Sequence, residues 1–329
     1  MDTMTSYANL GPDDILNALD QVGYRCDGRI LALNSYENRV YQVGLEDAAP
    51  VIAKFYRPGR WSDDAILEEH GFTLTLAEAE LPVIAPLCRD GESLFHTGDF
   101  RFAVYPRVGG RPPELDNPEQ LTQLGRCIAR LHNIGAIEPF RHRRSLDIET
   151  LAEVPRDFLL RQGFLPADIL PAYESLTADI IDRVRTCFTR AGEYRTLRLH
   201  GDCHLGNVLW SNDAPFLVDF DDACMGPAIQ DLWMFLSGDR PYMTARLHDL
   251  LDGYTGFREF DAAELNLVEA LRSLRMIHYA GWLAMRWDDP AFPRAFPWFN
   301  TQRYWEDHIL ALREQAALMD EPPLQWDPY

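Results

Sequence analysis

Apolar positions over the first hundred residues fall in short alternating runs, and beyond residue 117 they recur at helical spacing. Residues 12–19, opened by Pro12, Asp13 and Asp14 with Ile15, Leu16 and Leu19 on one face, predict a short helix. Residues 30–33, the polar turn 34–38 and residues 39–43 read as strand, turn, strand, and 51–56 as a third strand. Residues 63–79 read as a helix capped by Ser62, followed by strands at 93–96 and 100–106. The loop 107–111, with Gly109-Gly110, reads as a crossover into a second part. There Asn117 caps and Pro118 opens a helix that Gly135 stops. One or two helices follow over 146–192, interrupted by Pro155 and Pro166, then a strand at 197–199. A helix should open at Gln230-Asp231-Leu232-Trp233, and helical runs cover 262–287 and 301–318, flanking the Pro- and aromatic-rich loop 289–299. The expected fold is α+β and bilobal: residues 1–107 form an antiparallel sheet lobe with a helix, and 108–329 a larger, mainly helical lobe.

The densest chemistry lies in 199–222, LHGDCHLGNVLWSNDAPFLVDFDD. Asp202, Asn207 five residues later, and Asp219 after an apolar run match the spacing of the protein-kinase catalytic set. Phosphoryl transfer needs positioning and charge neutralisation more than covalent chemistry, so hard oxygen ligands, here Asn207 and Asp219, suit Mg²⁺. Asp202 is placed to receive the proton of an acceptor hydroxyl. Lys54, in the middle of an apolar strand, must reach solvent or hold a charged partner, and in a kinase it would hold ATP phosphates. Glu68 and Glu69 both lie on the following helix, and Glu69 is preferred as partner of Lys54. No G-x-G-x-x-G covers the phosphates; the turn 34–38 would do so, with Ser35 at its tip and Arg39 as a further phosphate contact. Adenine would sit against the crossover, on the backbone around Tyr105 and Arg107. His132 reads as a satisfied packing histidine, and Asp231 as a brace beneath the catalytic loop.

Fifty-one acidic against 31 basic residues give a formal charge of −20, which disfavours nucleic acid and anionic lipid as partners. A composition that is 47% hydrophobic and 25% charged is globular, and no internal repeat is seen. The six widely spaced cysteines suggest reduced thiols. The opening MDTMTSYANLGPDD carries no leader pattern, and no run reaches the ~18 apolar residues of a membrane span, so a soluble cytoplasmic protein is expected.

HGDCHLGN, LVDFDDACMGP and QDLW together resemble the aminoglycoside-phosphotransferase and choline-kinase-like branch of the protein-kinase-like fold. NSYENRVY, VIAKFYRPGRW, ILEEH, PRVGGR, GPAIQDLW and RWDDPAFPRAFPW extend the likeness over almost the whole chain. The resemblance implies a monomeric cytoplasmic Ser/Thr protein kinase that uses ATP and Mg²⁺, autophosphorylates and acts in bacterial stress response. It also implies Asp202 as proton acceptor, Asn207 and Asp219 as metal ligands, Ser35 as an ATP-site residue and Lys54 as the phosphate-binding lysine. His200-Gly201-Asp202 stands where ordinary protein kinases have HRD, and Asp219-Phe220-Asp221 where they have DFG. Without that arginine or a DFG-to-APE segment, a constitutively assembled site is expected. Two other readings stand beside it: a small-molecule kinase for an amino alcohol, homoserine-like compound or aminoglycoside, and a catalytically dead nucleotide-binding scaffold. The presence of Lys54, Asp202, Asn207 and Asp219 together argues against the scaffold.

Overall fold

The structure, a computed structural model, describes Tyr7 and residues 10–327, so most of the opening stretch lies outside the described residues. Its first part holds α1 (Pro12–Gln21), β1 (Cys26–Ala32), β2 (Arg39–Leu45), β3 (Val51–Phe55), α2 (Asp63–Glu78), β4 (Phe95–Thr97) and β5 (Phe100–Pro106). The five strands form one antiparallel sheet in the order β1-β2-β3-β5-β4. Strand periodicity of two sends Val43, Ala53, Phe55, Phe102 and Val104 to one face, where they pack with Ile15 and Leu19 of α1. Lys54 and its neighbour in register, Ala103, therefore point to the other face, where Ala103 packs with Tyr56 and with Ile66 of α2. Ser62 starts α2 by accepting a hydrogen bond from the Ala65 N–H at 3.2 Å.

The second part is mainly helical: α3 (Pro118–Gly135), α4 (Val154–Arg161), α5 (Leu170–Ala191), α6 (Arg240–Thr255), α7 (Val268–Met285), α8 (Ala291–Ala295) and α9 (Gln302–Asp320). Between α5 and α6 lie β6 (Leu197–Leu199), β7 (Val208–Ser211), β8 (Ala214–Leu217) and β9 (Cys224–Gly226), paired as two small antiparallel ladders, β6 with β9 and β7 with β8. The α+β division expected from the pattern is the one observed.

One local expectation needs correction. The helix expected at Gln230 is a pair of 3₁₀ turns, Ala228–Asp231 and Trp233–Phe235. The Gln230 and Asp231 side chains bond upward to the loop at 200–201, which fixes a tight turn in place of a continuous helix. The regular helix starts later, as α6, capped by Asp239, and its mixed composition had hidden it. Its Gly253 and Gly125 of α3 leave room for each other's backbone: a Cβ on either would collide with a carbonyl of the opposite helix. Among the described residues no helix is long and apolar enough to cross a membrane. All six cysteines are free thiols.

Candidate active site

Strand β6 hands the chain to His200-Gly201-Asp202, and the loop that follows is held from below. The Asp231 carboxylate accepts hydrogen bonds from the His200 and Gly201 N–H groups, both at 2.8 Å. Its third partner is His132 Nε2, at 3.1 Å, and His132 Nδ1 in turn meets the Tyr254 hydroxyl at 2.9 Å. Burial lowers the His132 pKa against the opposing pull of Asp231, so a neutral ring donates to Asp231 and accepts from Tyr254. Gly201 has φ of +84°, and a Cβ there would strike the Asp222 carbonyl, so only glycine fits this turn. The His200 ring reaches the Val218 carbonyl at 2.9 Å, and Gln230 Nε2 donates to the Gly201 carbonyl at 2.8 Å. The loop is thus satisfied on its inner side, and Asp202 is presented on the cavity side.

Asp202 Oδ1 takes a charged hydrogen bond from Arg275 of α7 at 2.5 Å, while His204 Nε2 stands 3.4 Å from Oδ2. Burial would raise the Asp202 pKa, but the His204 bond and the Arg275 charge outweigh it and hold the carboxyl below its usual range. It is ionised at neutral pH. Asn207 Nδ2 donates to the Asp202 carbonyl at 3.0 Å, leaving Asn207 Oδ1 without a hydrogen-bond partner among the described residues.

The β7–β8 hairpin delivers Asp219 in the left-handed region, with φ of +60°, a conformation that Asp tolerates better than a branched residue. Lys54 Nζ lies 2.7 Å from Asp219 Oδ1 and 3.4 Å from Asp221 Oδ1. Burial works against the Lys54 charge, yet Asp219 and Asp221 hold its pKa well above the ordinary value. Asp221 is also bonded by Arg60 and, at 3.1 Å, by Asn38 Nδ2. Asp222 takes Arg60 at 2.7 Å and Arg144 at 3.2 Å. Burial opposes both charges, and these guanidiniums keep both carboxyls ionised.

Glu69 and Glu68 separate cleanly. Glu69 is buried on the Lys54 side of α2, but it makes no ion pair with Lys54 within 4.0 Å, since Asp219 and Asp221 hold that lysine. Its Oε2 has no hydrogen-bond partner among the described residues, and burial, offset in part by Lys54, pushes its pKa up to about 7. Glu68 instead accepts from the N–H groups of Arg141, His142 and Arg143 at 2.6, 2.8 and 3.1 Å, binding α2 to the second part of the chain.

These residues surround a cavity of about 890 Å³, whose wall includes Ser35, Lys54, Glu69, Tyr105, Asp202, Asn207 and Asp219. Val40, Ile52, Val108 and Leu209 give it an apolar end. Arg39 and Arg107 are not brought in. Val40 lines the cavity, so strand alternation turns Arg39 to the opposite face, where it bonds Asp289 at 3.2 Å and covers the Tyr7 ring. Pro106 and Val108 likewise face inward, while Arg107 between them faces out to Gln42 Oε1 at 3.2 Å.

The sequence reading missed how the turn 34–38 is fastened. Glu37 receives Trp282 Nε1 at 2.5 Å and Arg286 Nη2 at 3.0 Å, and Tyr36 packs on Phe296 with ring centroids 4.7 Å apart. It also missed that Leu271, Arg275, His278, Tyr279 and Trp282 of α7 line the cavity. Their spacing is that of one helix face, a signal that was readable in principle.

Residues 29–265 match the phosphotransferase enzyme family. The chain is 43% identical over 323 residues to stress response kinase A of Escherichia coli O157:H7, covering 98% of each chain. It is 42% identical over 327 residues to the serine/threonine protein kinase RdoA of Salmonella typhimurium, covering 99% of each. Among solved structures it resembles the amicoumacin kinase hAmiN in complex with AMP-PNP, Ca²⁺ and Ami, with a TM-score of 0.72 at 20% identity, covering 95% of this chain and 94% of that one. It also resembles a microcompartment-associated aminopropanol kinase, with a TM-score of 0.70 at 19% identity and coverage of 93% and 96%. At such identities these two likenesses speak for the fold alone. With its family match and its full-length relatives, the chain belongs to the phosphotransferase enzyme family.

Proposed function

We propose that this phosphotransferase is an ATP- and Mg²⁺-dependent Ser/Thr protein kinase, able to phosphorylate itself, that acts in bacterial stress response as a cytoplasmic monomer. The single observation that carries the reading is the meeting of an ionised, braced Asp202 with the Lys54–Asp219 pair in one cavity. Full-length relatives named stress response kinase A and a serine/threonine protein kinase support the substrate class and the setting.

In the proposed step Asp202 takes the proton of a Ser or Thr hydroxyl as its oxygen attacks the γ-phosphorus of ATP. The bond from that phosphorus to the β–γ bridging oxygen breaks, and ADP departs. Lys54 steadies the phosphates, and the turn around Ser35 covers them. The apolar end beside Tyr105 takes adenine, and the lobes divide at residues 107 and 108. The donor set suits a hard cation: Asp219 Oδ2 and Asn207 Oδ1 are oxygens without hydrogen-bond partners among the described residues, on neighbouring segments joined by the Val218 N–H to Asn207 carbonyl bond at 3.0 Å. A bound Mg²⁺ supplies neutralisation of phosphate charge. The apo Lys54–Asp219 contact would then loosen, leaving the lysine to the phosphates.

A small-molecule kinase is the second reading, since the solved kinases of this fold include ones named for amicoumacin and aminopropanol. The test is incubation of purified protein with γ-labelled ATP and Mg²⁺, with a generic protein or with a panel of cationic alcohols, beside Asp202→Ala. Label on Ser or Thr in the wild type alone is the expected result. Label only on a cationic alcohol would transfer the assignment to the second reading, and absence of ATP binding would overturn both.

A further inference from the structure

Five cations line the cavity: Lys54, Arg60, Arg144, Arg275 and Arg286. Six carboxylates line the cavity, and five of them are already engaged or remote from the acceptor side. Glu37 is taken by Arg286 and Trp282, Asp221 by Arg60 and Asn38, and Asp222 by Arg60 and Arg144. Asp219 holds Lys54, and Glu69 is buried beside that lysine on α2. The sixth, Asp202, holds Arg275. The carboxylate oxygens left without a hydrogen-bond partner among the described residues include Asp219 Oδ2 and Glu69 Oε2, both on carboxylates beside Lys54.

Arg275 is different. Its side chain is 45% exposed, and its only hydrogen bond among the described residues goes to Asp202 Oδ1, so Nε and Nη2 remain available. When Asp202 takes up the acceptor proton, the pair loses its negative member and Arg275 is left as an uncompensated cation beside the reacting hydroxyl. Arg144 stands nearby, lining the same cavity. His278, between them, is kept neutral because burial lowers its pKa to about 4, so it adds no charge of its own.

We infer that Arg275 reads negative charge next to the acceptor hydroxyl, so that the preferred substrates are Ser or Thr residues flanked by Asp or Glu. The inference rests on the protein-kinase reading and narrows its substrate class. The whole-chain charge of −20 opposes approach of an acidic peptide at long range. At physiological salt that repulsion is screened beyond ~8 Å, whereas a direct contact with Arg275 is not.

The test uses three peptides with one Ser core, flanked by Glu, by Gln or by Lys, with γ-labelled ATP and Mg²⁺ near physiological ionic strength. For the wild type, kcat/KM should favour the Glu-flanked over the Lys-flanked peptide by roughly 10- to 100-fold, the range of one charged hydrogen bond. Arg275→Gln should compress that ratio, and Arg275→Glu should reverse it, with nucleotide binding by calorimetry as the check on folding. Equal use of the Glu- and Lys-flanked peptides by the wild type overturns the inference while leaving the protein-kinase reading standing. So does an unchanged preference in a nucleotide-binding Arg275→Glu. Labelling of no peptide, with an amino alcohol labelled instead, removes the protein-kinase reading and the inference together. If a variant fails to bind nucleotide, the wild-type comparison decides alone.

Discussion

The catalytic loop at 200–207 and the turn at 34–38 face the same cavity and are fixed in opposite ways. The loop is held by one buried carboxylate, Asp231, through backbone N–H groups about thirty residues away, and its glycine can be nothing else. The turn is held by side chains at its own base and from the far end of the chain, Trp282, Arg286 and Asp289, through Glu37, Arg57 and Arg39. Backbone bonds to a buried acid fix an atom's position closely, whereas long charged side chains fasten a segment that can still be released. Chemistry is therefore expected to fail when the first is disturbed, and nucleotide retention when the second is.

The largest effect should come from Asp202→Asn, which removes the proposed proton acceptor but keeps the shape: kcat should fall by roughly 10²–10⁴ while nucleotide affinity by calorimetry stays near wild type. Next is Asp231→Asn, which leaves the buried donors of the loop poorly matched. It should cost about 1–3 kcal/mol of stability by urea denaturation and lower kcat as well. Glu37→Ala should raise the KM for ATP by roughly 5- to 10-fold with kcat changed less than about twofold, and should speed hydrogen exchange of the turn. If Glu37→Ala instead abolished kcat as Asp202→Asn does, the contrast between the two regions would be broken.

The smallest effect is a control remote from both. His308 has a buried Nε2 without a hydrogen-bond partner among the described residues, and burial holds its pKa at about 4, below the ordinary 6.5. Its contribution is fully present above 6.5 and is lost as pH falls from there towards 4, because the unfolded chain takes up the proton first. His308→Phe should flatten the loss of stability over that window, read by thermal melts at several pH values, without changing kcat at neutral pH.

What was legible follows the same division. Asp202, Asn207 and Asp219 lie within one local motif, and Lys54 stands out against its apolar strand, so chain order alone located them. Asp231 was readable as a brace because it follows the motif closely. Arg39 was placed at the phosphates by proximity in sequence, and strand alternation turned it away from the cavity; at Arg107 the expectation concerned the backbone, and only its side chain faces out. Arg275, Glu37 and Asp289 were not singled out, since their partners are separated by 73 to 250 residues and only the folded chain brings them together. Glu69 was preferred over Glu68 as the partner of Lys54; it is buried on that side of α2, but the lysine pairs with Asp219 and Asp221, residues far along the chain, instead.

From Asp219 the chain makes a single 3₁₀ turn, Phe220–Asp222, and enters β9, which is already paired with β6. No slack lies between Asp219 and that ladder. So short and paired a span offers no loop of its own to open or close, as with a valve that has a supply line and no handle.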